Sequence, residues 1–120
     1  MIYSNVWYSD TFKNLQKIDE KCYNKDIWAF AYKEDERATN LMRKPVKGKI
    51  IQDGNYTAHF YEYKANGKDL KKNGVSIYAR FFTDTYEEAV EGFNMLVNKR
   101  IDSLQKEIIK LDNMLIKKGE

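Results

Sequence analysis

The chain opens on a run, Met1 to Tyr8, that mixes β-branched and aromatic residues and predicts a short strand. Asp10 then stands where a helix N-cap belongs. Phe12, Leu15, Ile18 and Cys22 recur every three to four positions while Lys13, Lys17 and Lys21 face elsewhere. That period predicts one amphipathic helix. Ile27 to Tyr32 is a mostly apolar stretch, IWAFAY, short and aromatic enough for a strand, and the polar ERATNLMRK after it reads equally as a helical turn or a loop. Pro45 cannot donate to a sheet ladder, so it marks the start of a strand running through Val46 to Ile51. The triplet DGN at 53–55 predicts a turn and Tyr56 to Tyr63 the returning strand, together an antiparallel hairpin. A basic loop with two Asn-Gly pairs, Lys64 to Gly74, leads into a last strand from Val75 to Phe82. Its alternation sets Val75, Ile77, Ala79 and Phe81 on one face and Ser76, Tyr78, Arg80 and Phe82 on the other.

Thr85, with Glu88 three residues on, predicts a capped helix start. Beyond it Tyr86, Val90, Phe93, Val97, Ile101, Leu104, Ile108, Leu111 and Leu115 follow one another at intervals of 4, 3, 4, 4, 3, 4, 3 and 4, an apolar stripe that becomes heptad-like toward its end. A helix from Tyr86 to about Lys117 spans roughly 48 Å, against a radius of gyration near ~14 Å for a compact chain of this size. Such a helix overhangs its own domain, and its exposed leucines and isoleucines call for another copy of the chain. The competing arrangement is a helical hairpin broken near Gly92 to Asn98. The fold class expected is therefore α+β: one domain over residues 1–120, an antiparallel sheet of about four to five strands, an N-terminal helix, and a long C-terminal helix that mediates oligomerisation.

Composition narrows the setting. An apolar fraction of 42% with 32% charged residues suits a folded, water-soluble domain. No stretch reaches the ~18 uncharged residues of a membrane span, and the N-terminus lacks the pattern of a signal peptide. Cys22 is the sole cysteine, so no intrachain disulfide forms. That agrees with a reducing, cytoplasmic compartment, where Cys22 serves as a small buried hydrophobe. The net charge of +3 is uneven: from Arg37 to Arg80 ten basic residues face only Asp53, Glu62 and Asp69, a local excess of seven. That middle segment attracts anions.

Candidate chemistry is sparse. One histidine and one cysteine, with no HExxH or CxxC, exclude the familiar zinc sites, and GxxxxGK[ST] and GxGxxG are both missing. His59 lies mid-strand in YTAHFYEY without a nucleophile motif. Glu87, Glu88 and Glu91 are explained by the helix dipole. No catalytic residue, metal or cofactor is expected, and the chain reads as a binder. Arg80 and Phe82, two residues apart on one strand face, pair a guanidinium for a phosphate with a ring for a base. Asn94, Lys99 and Arg100 follow on the next helical turns.

The stretch SIYARFFTDTYEEAVEGFNMLVNKRIDSL, with KPVKGKI and HFYEYK before it, resembles the first-described family of phage anti-Thoeris proteins, which sequester the cyclic ADP-ribose isomers made by bacterial TIR-domain defence enzymes. The resemblance covers the last two thirds of the chain and is most specific at the strand-DTYEEA-helix join. It implies a sheet with long helices, assembly into dimers or hexameric rings, and ligand pockets between subunits in the cytoplasm of an infected bacterium. Cyclic oligonucleotide signals are a further ligand class of that family. Carried onto this sequence, it implies Arg80, Phe82, Asn94 and Arg100 as ligand-binding residues, with Arg43 from the basic segment. Phe82 would stack on adenine, the arginines would neutralise the pyrophosphate and Asn94 would read polar edges. Neither membrane nor nucleic acid is then an expected partner. The alternative is a small inhibitor that grips a protein or nucleic-acid component of a defence complex through the basic middle segment.

Overall fold

The computed structural model describes residues 1–5, 9–30, 43–78, 80–116 and 119. Within them run strands β1 (Ile2–Ser4), β2 (Leu15–Lys17), β3 (Ile27–Phe30), β4 (Val46–Gln52), β5 (Ala58–Glu62), β6 (Val75–Ser76) and β7 (Phe81–Thr83), followed by helix α1 (Tyr86–Met114). The class is α+β, but the described strands number seven rather than four to five. They form one mixed sheet in the order β2-β1-β7-β3-β4-β5-β6. β1 and β2 run parallel, and the remaining paired strands antiparallel. The hairpin read from DGN is present: Asp53 N–H donates to Thr57 O at 3.2 Å, and Ile50 stands opposite Phe60. The ERATNLMRK segment lies outside the described residues up to Met42.

Two expectations are overturned. The described residues of the N-terminal segment hold no α-helix: Leu15–Lys17 is a strand, and Glu20–Cys22 is one turn of 3-10 helix. The apolar residues that mimic a helical stripe serve opposite faces of the sheet. Phe12 packs with Phe30 and Phe81, while Ile18 and Cys22 pack with Ile27 and Phe60. Locally, the Ser9 hydroxyl accepts from the Thr11 and Phe12 amides at 3.1 and 3.0 Å, so a serine turn takes the place of the Asp10 cap. The second correction concerns Val75 to Phe82, which is not one strand. β6 pairs with β5 at the end of the sheet, whereas β7 sits in its middle between β1 and β3. The chain crosses the sheet between them, burying Ile77 on the way; Ala79 lies outside the described residues. Val75 and Phe82 consequently share a face, which an unbroken strand forbids.

Strand alternation sorts the core into two layers. Ile27, Ala29, Ile50, Phe60 and Phe82 point to one face, closed by Ile18, Cys22 and Ile77. Phe30 and Phe81 point to the other, where Phe12, Ala89 and Leu96 cover them. Phe30 and Phe81 stack at 5.6 Å, and the Phe12 ring meets Phe81 edge-on at 5.0 Å.

Thr85 caps α1, its hydroxyl oxygen accepting from the Glu88 amide at 3.2 Å, and the helix runs unbroken through Gly92 to Asn98. It meets the sheet along Ala89, Gly92 and Leu96. The longer stripe through Val90, Val97, Leu104, Ile108 and Leu115 lies roughly a quarter-turn away, at 3.6 residues per turn. Ile101, Leu104, Ile108, Leu111 and Leu115 are all exposed, Leu115 at 73%. The helix overhang gives the molecule an extent of 68 × 30 × 26 Å and a radius of gyration of 18.1 Å.

A Cβ placed on Gly92 would stand 2.6 Å from Cζ of Phe30, a ring fixed in the core. Gly92→Ala is therefore expected to lower stability by about 1–3 kcal/mol through overpacking. The same change in an open helix would raise stability by up to ~1 kcal/mol. Urea denaturation of the variant checks the sign.

Candidate functional site

The basic middle segment and the β6–β7 crossing converge on one cleft. It is lined by Ala29, Phe30, Arg43, Val46, Phe60, Glu62, Val75 and Arg80 and measures about 70 Å³. Ala29, Val46, Phe60, Glu62 and Val75 share a sheet face through their cross-strand pairing, and this is the face turned away from α1. Arg43 is exposed at the mouth, while Arg80 is half-buried and its guanidinium donates to the Ser76 carbonyl. Glu62 leans outward to Lys71 at 3.1 Å. Two guanidinium groups over an apolar floor, with one carboxylate already paired, make a site for an anion carrying a flat or apolar portion.

The five residues implied by the resemblance do not converge in one protomer. Arg43 and Arg80 meet in the cleft. Phe82 is wholly buried (0% exposed), its ring 5.5 Å from that of Phe60, so it packs beside the cleft floor rather than offering a free face to a base. Asn94 and Arg100 are on α1, across the sheet from the cleft, and six residues on a helix place them about 120° apart. Asn94 is exposed and Arg100 half-buried. Lys99 pairs with Asp10 at 3.7 Å.

A second cluster, missed in the sequence, occupies the open face of the hairpin. The Asp53 carboxylate accepts from Tyr61 Oη at 2.6 Å, His59 Nδ1 at 2.7 Å and Thr57 Oγ1 at 3.3 Å. The tyrosine bond, then the histidine bond, holds Asp53 below the usual carboxylate range, and Asp53 in turn raises Tyr61. Two positions along, Tyr63 donates to Asp26, with Lys47 3.4 Å from Asp26 and its ammonium 5.6 Å from the Tyr63 ring centre. The hydrogen bond with Tyr63 lowers Asp26 and raises Tyr63. The Tyr61 and Thr57 hydroxyls both donate to Asp53, so this network orients the Tyr61 ring. The signal for it was the alternation in HFYEYK against VKGK, two strands whose aromatic and basic residues fall in step. Among the described residues no three His, Cys, Asp or Glu side chains are grouped to hold a metal ion.

Just after β7, Asp84 accepts from Lys25 at 2.7 Å and Tyr3 at 3.1 Å. No described helix is long and apolar enough to cross a membrane. Comparison with protein families, with curated proteins and with solved structures finds no match to this chain.

The Lys25 hydrogen bond holds Asp84 below its ordinary range. A carboxyl depressed in the fold stabilises it above the unfolded value and loses that contribution as pH falls through the folded one. Asp84→Asn is expected to cost up to about 1 kcal/mol at neutral pH, since the pair is partly exposed to solvent. The gap from the parent should close below about pH 4. Denaturation midpoints of both proteins across pH 3 to 7 test this.

Proposed function

We propose that the chain is a non-enzymatic sponge that binds and sequesters cyclic ADP-ribose-type signals, as the anti-Thoeris proteins it resembles do, and so blunts a bacterial anti-phage defence. The observation that carries this reading is the meeting of Arg43 and Arg80, distant in sequence, over one apolar-floored cleft. Their charges suit a pyrophosphate, and the Val46, Phe60 and Val75 side chains suit the edge of a base or ribose. A cleft of about 70 Å³ takes one phosphate-sized group; pockets for small ligands run to ~300–1,000 Å³. The remaining walls come from a second subunit in this reading, and cyclic oligonucleotides belong to the same ligand class.

The overhanging helix supports self-association. In heptad terms Ile101, Ile108 and Leu115 take one core position and Leu104 and Leu111 the other, the β-branched and leucine alternation that favours two-stranded coils. A second reading, an inhibitor gripping a protein or nucleic-acid component of a defence complex through the basic middle segment, has its own support in the open face of β4 and β5.

Titration calorimetry with cyclic ADP-ribose isomers should give measurable binding that Arg43→Ala and Arg80→Ala each weaken by at least about tenfold, the scale of a charged hydrogen bond. Mass spectrometry should return the ligand intact. Flat titrations with every isomer, or a cleaved product, would remove the sponge reading.

Ile108→Lys combined with Leu111→Lys is expected to convert an oligomer to a monomer in light scattering. Both residues are 58% exposed in the protomer, so near-UV circular dichroism of the aromatic core should stay native.

A further inference from the structure

We propose that the open face of the β4–β5 hairpin binds single-stranded nucleic acid, using Tyr61 and Tyr63 as stacking rings and Lys47 and Lys49 as phosphate contacts. This goes beyond the sponge reading and uses the opposite side of the sheet from the Arg43–Arg80 cleft.

Register builds the surface. Lys49 stands directly opposite Tyr61, and Tyr63 N–H donates to Lys47 O at 3.0 Å, so two lysine–tyrosine pairs lie in successive rows. Ile51 opposite His59 makes a third row. Alternation puts all six side chains on one face. That is the face on which α1 seats against β3 and β7, with Trp28 and Tyr86, 4.8 Å apart, at the border between helix and open hairpin. The two tyrosines, His59 and Lys49 are half-exposed, and Lys47 is exposed.

The rings are also held in place. Tyr61 is tied to Asp53 and Tyr63 reaches across β4 to Asp26, so each lies along the sheet surface instead of swinging free. Fixing a ring beforehand reduces the ordering cost of binding. The two carboxylates oppose a phosphate, and Asp26 lies 3.4 Å from the Lys47 ammonium, so a phosphate binds there in exchange for that pair. Lys64, Lys68 and Lys72 in the loop beside β5 add positive charge against Asp69, while Lys71 pairs with Glu62 of the other face. The Lys71 amide donates to Glu62 O at 2.7 Å, which fixes that loop along the strand.

Spacing selects the occupant. Successive rows are about 6.7 Å apart along a strand, while bases in a duplex stack about 3.4 Å apart with their faces covered. Only an unpaired strand can spread its bases to this interval. Each of the two lysine–tyrosine rows offers one ring and one ammonium, the ratio in which a single strand presents base and phosphate. Stacking reads any base, so the surface is sequence-tolerant.

Fluorescence anisotropy with a labelled twenty-nucleotide deoxythymidine strand tests the proposal on the full chain. Binding is expected, with a duplex of equal length at least about tenfold weaker, and log affinity falling against log salt with a slope near −1.4 for two phosphate contacts on a single strand. Tyr61→Leu and Tyr63→Leu should each weaken binding by roughly tenfold, while the phenylalanine variants, which keep the ring, should retain most of it. Arg43→Ala and Arg80→Ala should leave this binding unchanged, which separates it from the sponge site. If the leucine variants do not fold, Lys47→Glu and Lys49→Glu at the surface carry the same test. No binding at about 100 μM protein, the weak end of non-specific nucleic-acid affinity, overturns the proposal. Equal affinity for duplex, or affinity that neither the leucine nor the glutamate variants change, overturns it as well.

Discussion

The contact on which the rest of the molecule depends is the seating of Gly92 against the Phe30 ring. A bare backbone at that point lets α1 come close enough for Ala89 and Leu96 to reach the same aromatic layer of Phe12, Phe30 and Phe81. Burial of those side chains is the main stabilisation available to the helix, since each fully buried large apolar group contributes about 1.5–3 kcal/mol. The same contact fixes the rotation of the helix. With its small residues turned to the sheet, the heptad stripe faces sideways and its distal half projects past the domain.

Legibility in the sequence followed the length of each pattern. The C-terminal helix carried nine stripe positions and a cap, and its start at Tyr86 and continuous course agree with that reading. The β4–β5 hairpin was equally plain, because a turn triplet separated two runs of strand-forming residues. Phe12 to Cys22 misled for a definite reason: a chain passing round the edge of a two-faced sheet also places apolar residues every few positions, and spacing alone does not say that they enter different layers. Val75 to Phe82 misled because alternation on each side of a crossing looks like alternation through it. The seven-strand order rests on pairings such as Ile2 with Thr83, for which one sequence contains no signal.

The binding residues divided along the same line. Arg80 was legible from its place on a strand face and Arg43 from the basic middle segment, and the fold brings them to one cleft. Phe82 carried two meanings, ring for a ligand and ring for a core, and the placement of β7 inside the sheet, between β1 and β3, gave it the second. Tyr61, Tyr63, Lys47 and Lys49 looked ordinary in separate strands; only their register makes them one surface.

The central position of β7 has a consequence for how the chain acquires its shape. The middle of the sheet is built from Phe81–Thr83, while its neighbours β1 and β3 are made far earlier during synthesis. Ile2 waits for Thr83, so both earlier strands leave the ribosome with unsatisfied edges facing the place β7 will take. Long-range pairings of this kind slow folding relative to local ones. The β4–β5 hairpin, closed by a five-residue turn region from Asp53 to Thr57, can form without them. Vectorial synthesis thus delivers a nascent hairpin first, and the insertion of one three-residue strand then joins the two halves of the sheet.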